Sequence, residues 1–174
     1  MTQGIGPQDV EVFPDGTVTF AGRRYAAALG RAGIVADKRE GDGGTPAGTW
    51  PLRRVLYRPD RIAAPESGLL VAALAPGDGW CDAPEDPAYN RPVALPYPAS
   101  HEVMWRDDPL YDLLVVVGHN DDPVVPGAGS AIFLHVRRAD GGPTAGCVAF
   151  TLDDLKAIVA GLTPASRLVV HGVG

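Results

Sequence analysis

The chain has 174 residues, 45% of them hydrophobic and 21% charged, an ordinary globular composition with enough length to bury one core. Fifteen Lys and Arg against twenty-one Asp and Glu give a formal charge of −6 with no basic cluster to offset it, the wrong sign for a surface that tracks phosphates, so no nucleic-acid partner is expected. Twenty-two Gly and seventeen Pro favour turns over long helices, and the expected architecture is a mainly β, sandwich-like single domain over 1–174 with one clear helix and long loops.

In chain order, the opening segment MTQGIGPQDVEVF lacks a basic stretch followed by an apolar one, so no export signal is visible. No run approaches the roughly eighteen apolar residues of a membrane span, so no transmembrane segment is expected. VEVF, TVTF and RYAAAL are short alternating or apolar runs separated by PDG and AGR, which predicts an opening β-meander. Asp15-Gly16 supplies the positive φ that such a turn needs. Lys38 to Gly48 reads as loop and PLRRVLY as the strand after it. The glycines of that loop lack the Gly-Lys-Ser/Thr ending of a phosphate cradle.

From Arg58 to Arg106 the chain is punctuated by Pro, Gly and Asp, a long decorated region expected to wall a cleft. Trp80, Tyr89, Asn90 and Trp105 are its candidates for substrate contact, against the plainer reading that aromatics anchor loops. YDLLVVVGH predicts a central strand ending at His119 and Asn120, where side chains face a cleft. There His119 orients substrate or backs up a base, or makes a structural hydrogen bond. AIFLHV and GCVAF predict two further strands. TLDD fits an N-cap at Thr151, Leu152, Leu155, Ile158 and Val159 recur at helical spacing, and Gly161 can end the helix. RLVVH is the last strand.

The chemistry concentrates between His135 and Cys147. A thiol of ordinary pKa is only a few per cent ionised at neutral pH and needs a base within reach, so His135, on a rigid strand, is the candidate base for Cys147. Gly146 carries no Cβ, which lets a substrate carbonyl lie against the backbone, where amides of Ala145, Gly146 and Cys147 would form an oxyanion hole. The plainer reading makes Cys147 and His135 core residues. Cys81 reads as a small hydrophobe beside Trp80, with reversible oxidation to Cys147 as a weaker alternative.

The segment resembles the catalytic signature of the YkuD-type L,D-transpeptidases, in which a strand-end histidine precedes a small or hydroxyl residue, a variable residue, glycine and cysteine; these are His135, Thr144, Ala145, Gly146 and Cys147. GDGGTPAGTW at 41–50 is similar to the family's TPxGxF/W segment, and WCD, YNR, HEVMW and GSAIFLH fit its shorter-lid branch. Ala145 stands where many members carry a second histidine, and Ala149 where many carry arginine. The interval from His135 to Cys147 is short, which suggests an open cleft.

The resemblance implies a YkuD-like fold and an enzyme that crosslinks peptidoglycan stem peptides through a Cys147 thioester, in 3-3 or 1-3 arrangement. It also implies no metal or other cofactor, acylation by carbapenem inhibitors, and a place in the cell envelope or periplasm. Thr144, His119, Asn120, Tyr89, Asn90, Trp80 and Trp105 are the expected substrate-binding residues. Hydrolysis of the same thioester would make the chain an L,D-carboxypeptidase or amidase. Two readings of other classes are a tetrahedral zinc site of Cys81, His119, His135 and Cys147, and a wall-binding module without catalysis.

Overall fold

The computed structural model describes residues 4–174. Its strands are β1 (Val10–Val12), β2 (Thr17–Phe20), β3 (Arg23–Ala26), β4 (Ile34–Val35), β5 (Thr45–Pro46), β6 (Gly48–Tyr57), β7 (Leu70–Ala73), β8 (Asp78–Cys81), β9 (Pro92–Ala94), β10 (His101–Val103), β11 (Leu113–Val117), β12 (Phe133–Val136), β13 (Val148–Phe150) and β14 (Arg167–Val170), with the helix α1 (Leu152–Gly161) between β13 and β14. The expected meander is β1–β2–β3, antiparallel throughout, with Gly16 at φ +84° in its first turn. The predicted loop 38–48 contains the short β5, which pairs in parallel with β4, and its last residue, Gly48, opens β6.

Nine strands make one sheet in the order β13-β12-β11-β6-β14-β1-β2-β3, with β7 also on β6. β6 is long enough to serve two neighbours on one side: its first half pairs with β14 and its second with β7. After β3 the chain returns to the far edge, where Ala28 and Ala149 exchange hydrogen bonds of 2.8 and 2.9 Å. The chain after β3 thus bridges to the far edge of the sheet at β13, while among the described residues β3 and β7 each keep one edge without a strand partner, and the whole makes a sandwich-like body.

β11 is buried on both faces, which is why it reads as an unbroken apolar run. Leu113, Val115 and Val117 face the main core with Leu52, Val55, Leu134 and the α1 residues Leu155, Ile158 and Val159. Leu114 and Val116 face a second cluster with Phe133, Trp80, Tyr111, Met104 and Cys147, on the side where Trp80 of the three-stranded sheet β10-β8-β9 packs. The side-chain alternation of a strand thus separates the main core from the face that holds Cys147.

α1 begins as expected, with Thr151 Oγ1 accepting from the Asp154 amide at 3.2 Å and two aspartates in the first turn. Gly161 is its last helical residue, and Leu162 closes it by donating its amide to the Val159 carbonyl. No helix among the described residues is long and apolar enough to cross a membrane.

Candidate active site

β12 alternates like β11. Leu134 and Val136 enter the main core, so Phe133 and His135 are on the other face. His135 pairs across to Leu114 on one side and Ala149 on the other, which fixes its Cα between two strands. Its Nδ1 lies 2.7 Å from the Val136 carbonyl. A carbonyl only accepts, so Nδ1 carries the hydrogen and Nε2 is left as the proton acceptor.

Cys147 sits one residue before β13, almost wholly buried. Its Sγ donates to the Ala131 carbonyl at 3.3 Å and accepts from the Phe133 amide at 3.4 Å. The turn before it is pinned to the segment that follows β3: Thr144 donates to the Leu29 carbonyl and Arg31 donates to the Thr144 carbonyl, both at 2.9 Å. Gly146 has φ +144°, and a Cβ there would meet the Gly44 carbonyl at 2.8 Å, so only glycine fits. That adds a backbone reason for glycine to the substrate-access reason suggested by sequence.

Thiol and imidazole line one cavity of about 210 Å³ with Thr144, Ala145, Pro143, Gly142, Leu110, Tyr111, Glu102, Arg106 and Arg138. A hollow of about 510 Å³ at Phe13, Asp15, Thr17, Thr19 and Arg24 is larger but contains no cysteine or histidine. Burial pushes the Cys147 thiol up to about 12, and the Glu102 charge adds to it. Burial likewise holds His135 below its ordinary value, against the opposing pull of its bond to Val136. Both shifts favour a neutral thiol and a neutral imidazole over a thiolate–imidazolium pair.

Of the expected oxyanion donors, the Gly146 amide already donates to Thr144 Oγ1 at 3.0 Å. Thr144 in turn donates to the Cys147 carbonyl at 2.7 Å, so this residue ties the turn together as well as lining the cavity. Ala145 lines the cavity beside it.

The other expected contact residues stand elsewhere. Trp80 is buried edge-on against Phe133 at 5.2 Å and donates its indole N–H to Asn90 at 3.0 Å. Asn90 also accepts from the Ala131 amide and donates to the carbonyls of His119 and Asn120, so it joins four segments behind the thiol. Tyr89 is buried, with its hydroxyl bonded to Glu40 and to the Gly129 amide. Trp105 lies under the Arg58 guanidinium at 3.8 Å. His119 and Asn120 line a separate cavity of about 230 Å³ with Trp50 and Lys38, and burial and the Lys38 charge lower His119 to about 4. Cys81 and Cys147 are both free thiols. Among the described residues no three His, Cys, Asp or Glu gather to hold a metal ion, so the four-residue zinc set is not assembled.

Sequence reasoning missed the Val136 carbonyl that orients His135, and it missed Glu102, Tyr111, Arg106 and Arg138. A backbone carbonyl leaves no signature in a sequence. HEVMWR and YDLL did offer a signal, namely ionisable residues flanking apolar ones, but which of them face Cys147 depends on pairing between distant strands.

None of the curated proteins or solved structures compared with the chain matches it. A family model, YkuD, the L,D-transpeptidase catalytic domain, matches residues 6–170, almost the whole chain. With the histidine and cysteine of that signature lining one cavity, the chain belongs to the L,D-transpeptidase catalytic-domain family.

Proposed function

We propose that the chain joins peptidoglycan stem peptides by acyl transfer through a thioester on Cys147. The observation that carries this reading is that a buried thiol and an imidazole line one cavity, the imidazole with its Nδ1 committed to Val136 and its Nε2 left to accept. The thiol proton, directed at the Ala131 carbonyl in the resting site, turns to His135 Nε2 as Sγ attacks the carbonyl of an L-centre, since burial favours the neutral form of both groups beforehand. The amides of Ala145 and Cys147 meet the oxyanion, joined by that of Gly146 once it gives up its bond to Thr144, and the D-centre amine leaves with the proton held by His135. An acceptor amine then takes the acyl group from sulfur. The substrate class implies an envelope location and acylation of Cys147 by carbapenems.

Hydrolysis is the second reading, favoured by the exposure of Arg138 to Gly141, which leaves the cavity mouth open to water. Intact-mass spectrometry of the protein and of Cys147→Ala with purified muropeptides tests both. Cys147-dependent dimers are expected and would name the donor position, whereas shortened monomers alone would establish hydrolysis. No adduct and no product would refute acyl transfer on these substrates.

A further inference from the structure

The catalytic cavity carries three charged side chains besides the thiol and imidazole: Glu102, Arg106 and Arg138. Both guanidiniums are already matched. Arg106 makes two bonds to Asp108, at 2.8 and 2.6 Å, and Arg138 is 2.7 Å from Asp140. Glu102 is different. It sits on β10 opposite Trp80, and its partner is the neutral hydroxyl of Tyr111. Tyr111 also stands edge-on to His135 at 5.5 Å and to Phe133 at 5.6 Å, so the group that holds Glu102 is itself packed against the base. Among the described residues Glu102 takes part in no ion pair. Arg106 acts on Glu102 only through space, so the carboxylate that faces the nucleophile has no ion-pair partner of its own.

Resting on the acyl-transfer reading above, we propose that Glu102 docks the primary ammonium of the acyl acceptor and takes its proton before it attacks the Cys147 thioester. An acceptor amine reaches the site protonated at neutral pH and must lose one proton to become a nucleophile. The ammonium pairs with the Glu102 carboxylate and transfers that proton to it. The amine lone pair then forms the C–N bond, the C–S bond breaks, and the sulfur leaves with the electron pair. The second proton on nitrogen passes through His135 to sulfur, restoring the thiol, and Glu102 returns its proton to solvent. Burial of Glu102 raises its affinity for a proton, as the first transfer requires.

The test is the fate of the thioester. A stem tetrapeptide as donor and D-norleucine as acceptor give either norleucine-capped product or hydrolysed tripeptide, counted by mass spectrometry. The ratio forms after acylation, so changes in acylation rate cancel. Glu102→Gln is expected to lower the capped-to-hydrolysed ratio at least tenfold, and Glu102→Asp, which keeps the charge, to fall between it and the parent. An unchanged ratio in Glu102→Gln overturns the assignment. A raised ratio overturns it too and makes Glu102 the activator of water. Should Glu102→Gln fail to fold, Glu102→Asp decides: a ratio equal to the parent's with a hundredfold range of acceptor concentration overturns it. A parent protein that forms an adduct but no capped product refutes this inference alone, whereas no Cys147-dependent adduct refutes the acyl-transfer reading and this one together.

Discussion

Alkylation of Cys147 by iodoacetamide in the absence of substrate gives the sharpest check on the resting site. With the thiol pushed from its ordinary 9.0 up to about 12, its thiolate fraction at pH 8 is about a thousandfold below that of an exposed cysteine. A more basic thiolate is intrinsically more nucleophilic, and a Brønsted slope of about 0.45 over three units returns about twentyfold. The net expectation is alkylation about fiftyfold slower than for a small-molecule thiol at pH 8, before any loss to restricted access. Peptide mapping separates Cys147 from Cys81, and the logarithm of the Cys147 rate should climb with unit slope through pH 10. Glu102→Gln removes the negative charge that adds to the burial effect, so its line should lie above the parent's. A rate that plateaus at or below pH 8 would mean a thiolate held by imidazolium, and would refute the neutral-pair mechanism.

Other expectations follow from the same geometry. His135→Gln should lower the acylation rate of Cys147 by about 10² to 10⁴, read by intact mass. Because burial depresses His135, the base form persists below pH 6.5, so in the parent the acid limb of acylation should fall below that pH, and a midpoint at 7 or above would contradict it. Asn90→Ala leaves the Trp80 and Ala131 donors and the His119 and Asn120 acceptors without their partner; urea unfolding should show a loss of about 3–5 kcal/mol. Gly146→Ala forces a Cβ against the Gly44 carbonyl at positive φ, and should cost about 1–3 kcal/mol and at least tenfold in Cys147 acylation. Burial acts to raise the Asp9 carboxyl, but bonds from Arg167 and the Gly6 amide hold it below its usual range. Its stabilisation is therefore present above the unfolded value near 3.9 and lost as pH falls through the lower folded one. Asp9→Asn should lose about 1–2 kcal/mol at pH 7, with the difference from the parent closing as pH falls through the lowered folded value.

Local patterns in the sequence carried the strand class and the helix. The alternation of TVTF, the unbroken apolar run of LLVVV, and the Thr151 cap with its helical spacing depend on near neighbours alone, and each appears where expected. The TAGC turn and the strand-end histidine were legible for the same reason, since residue type states their chemistry.

The placement of the aromatics was not legible. Trp80, Tyr89 and Trp105 are as suited to lining a cleft as to packing under one, and burial against Phe133, Glu40 and Arg58 comes from chain segments many residues away. The same holds for the site's charges. Glu102 and Tyr111 come from β10 and from the approach to β11, Arg138 from the loop after β12, and their meeting at Cys147 requires the register of two sheets. By itself the sequence singled out Cys147 and His135 as candidate nucleophile and base, because that capacity belongs to the side-chain type. Tertiary structure alone decided the burial that favours the neutral forms of that pair, the carbonyl that orients His135 and the carboxylate placed beside them, because burial, electric field and hydrogen-bond direction arise only when distant strands pack.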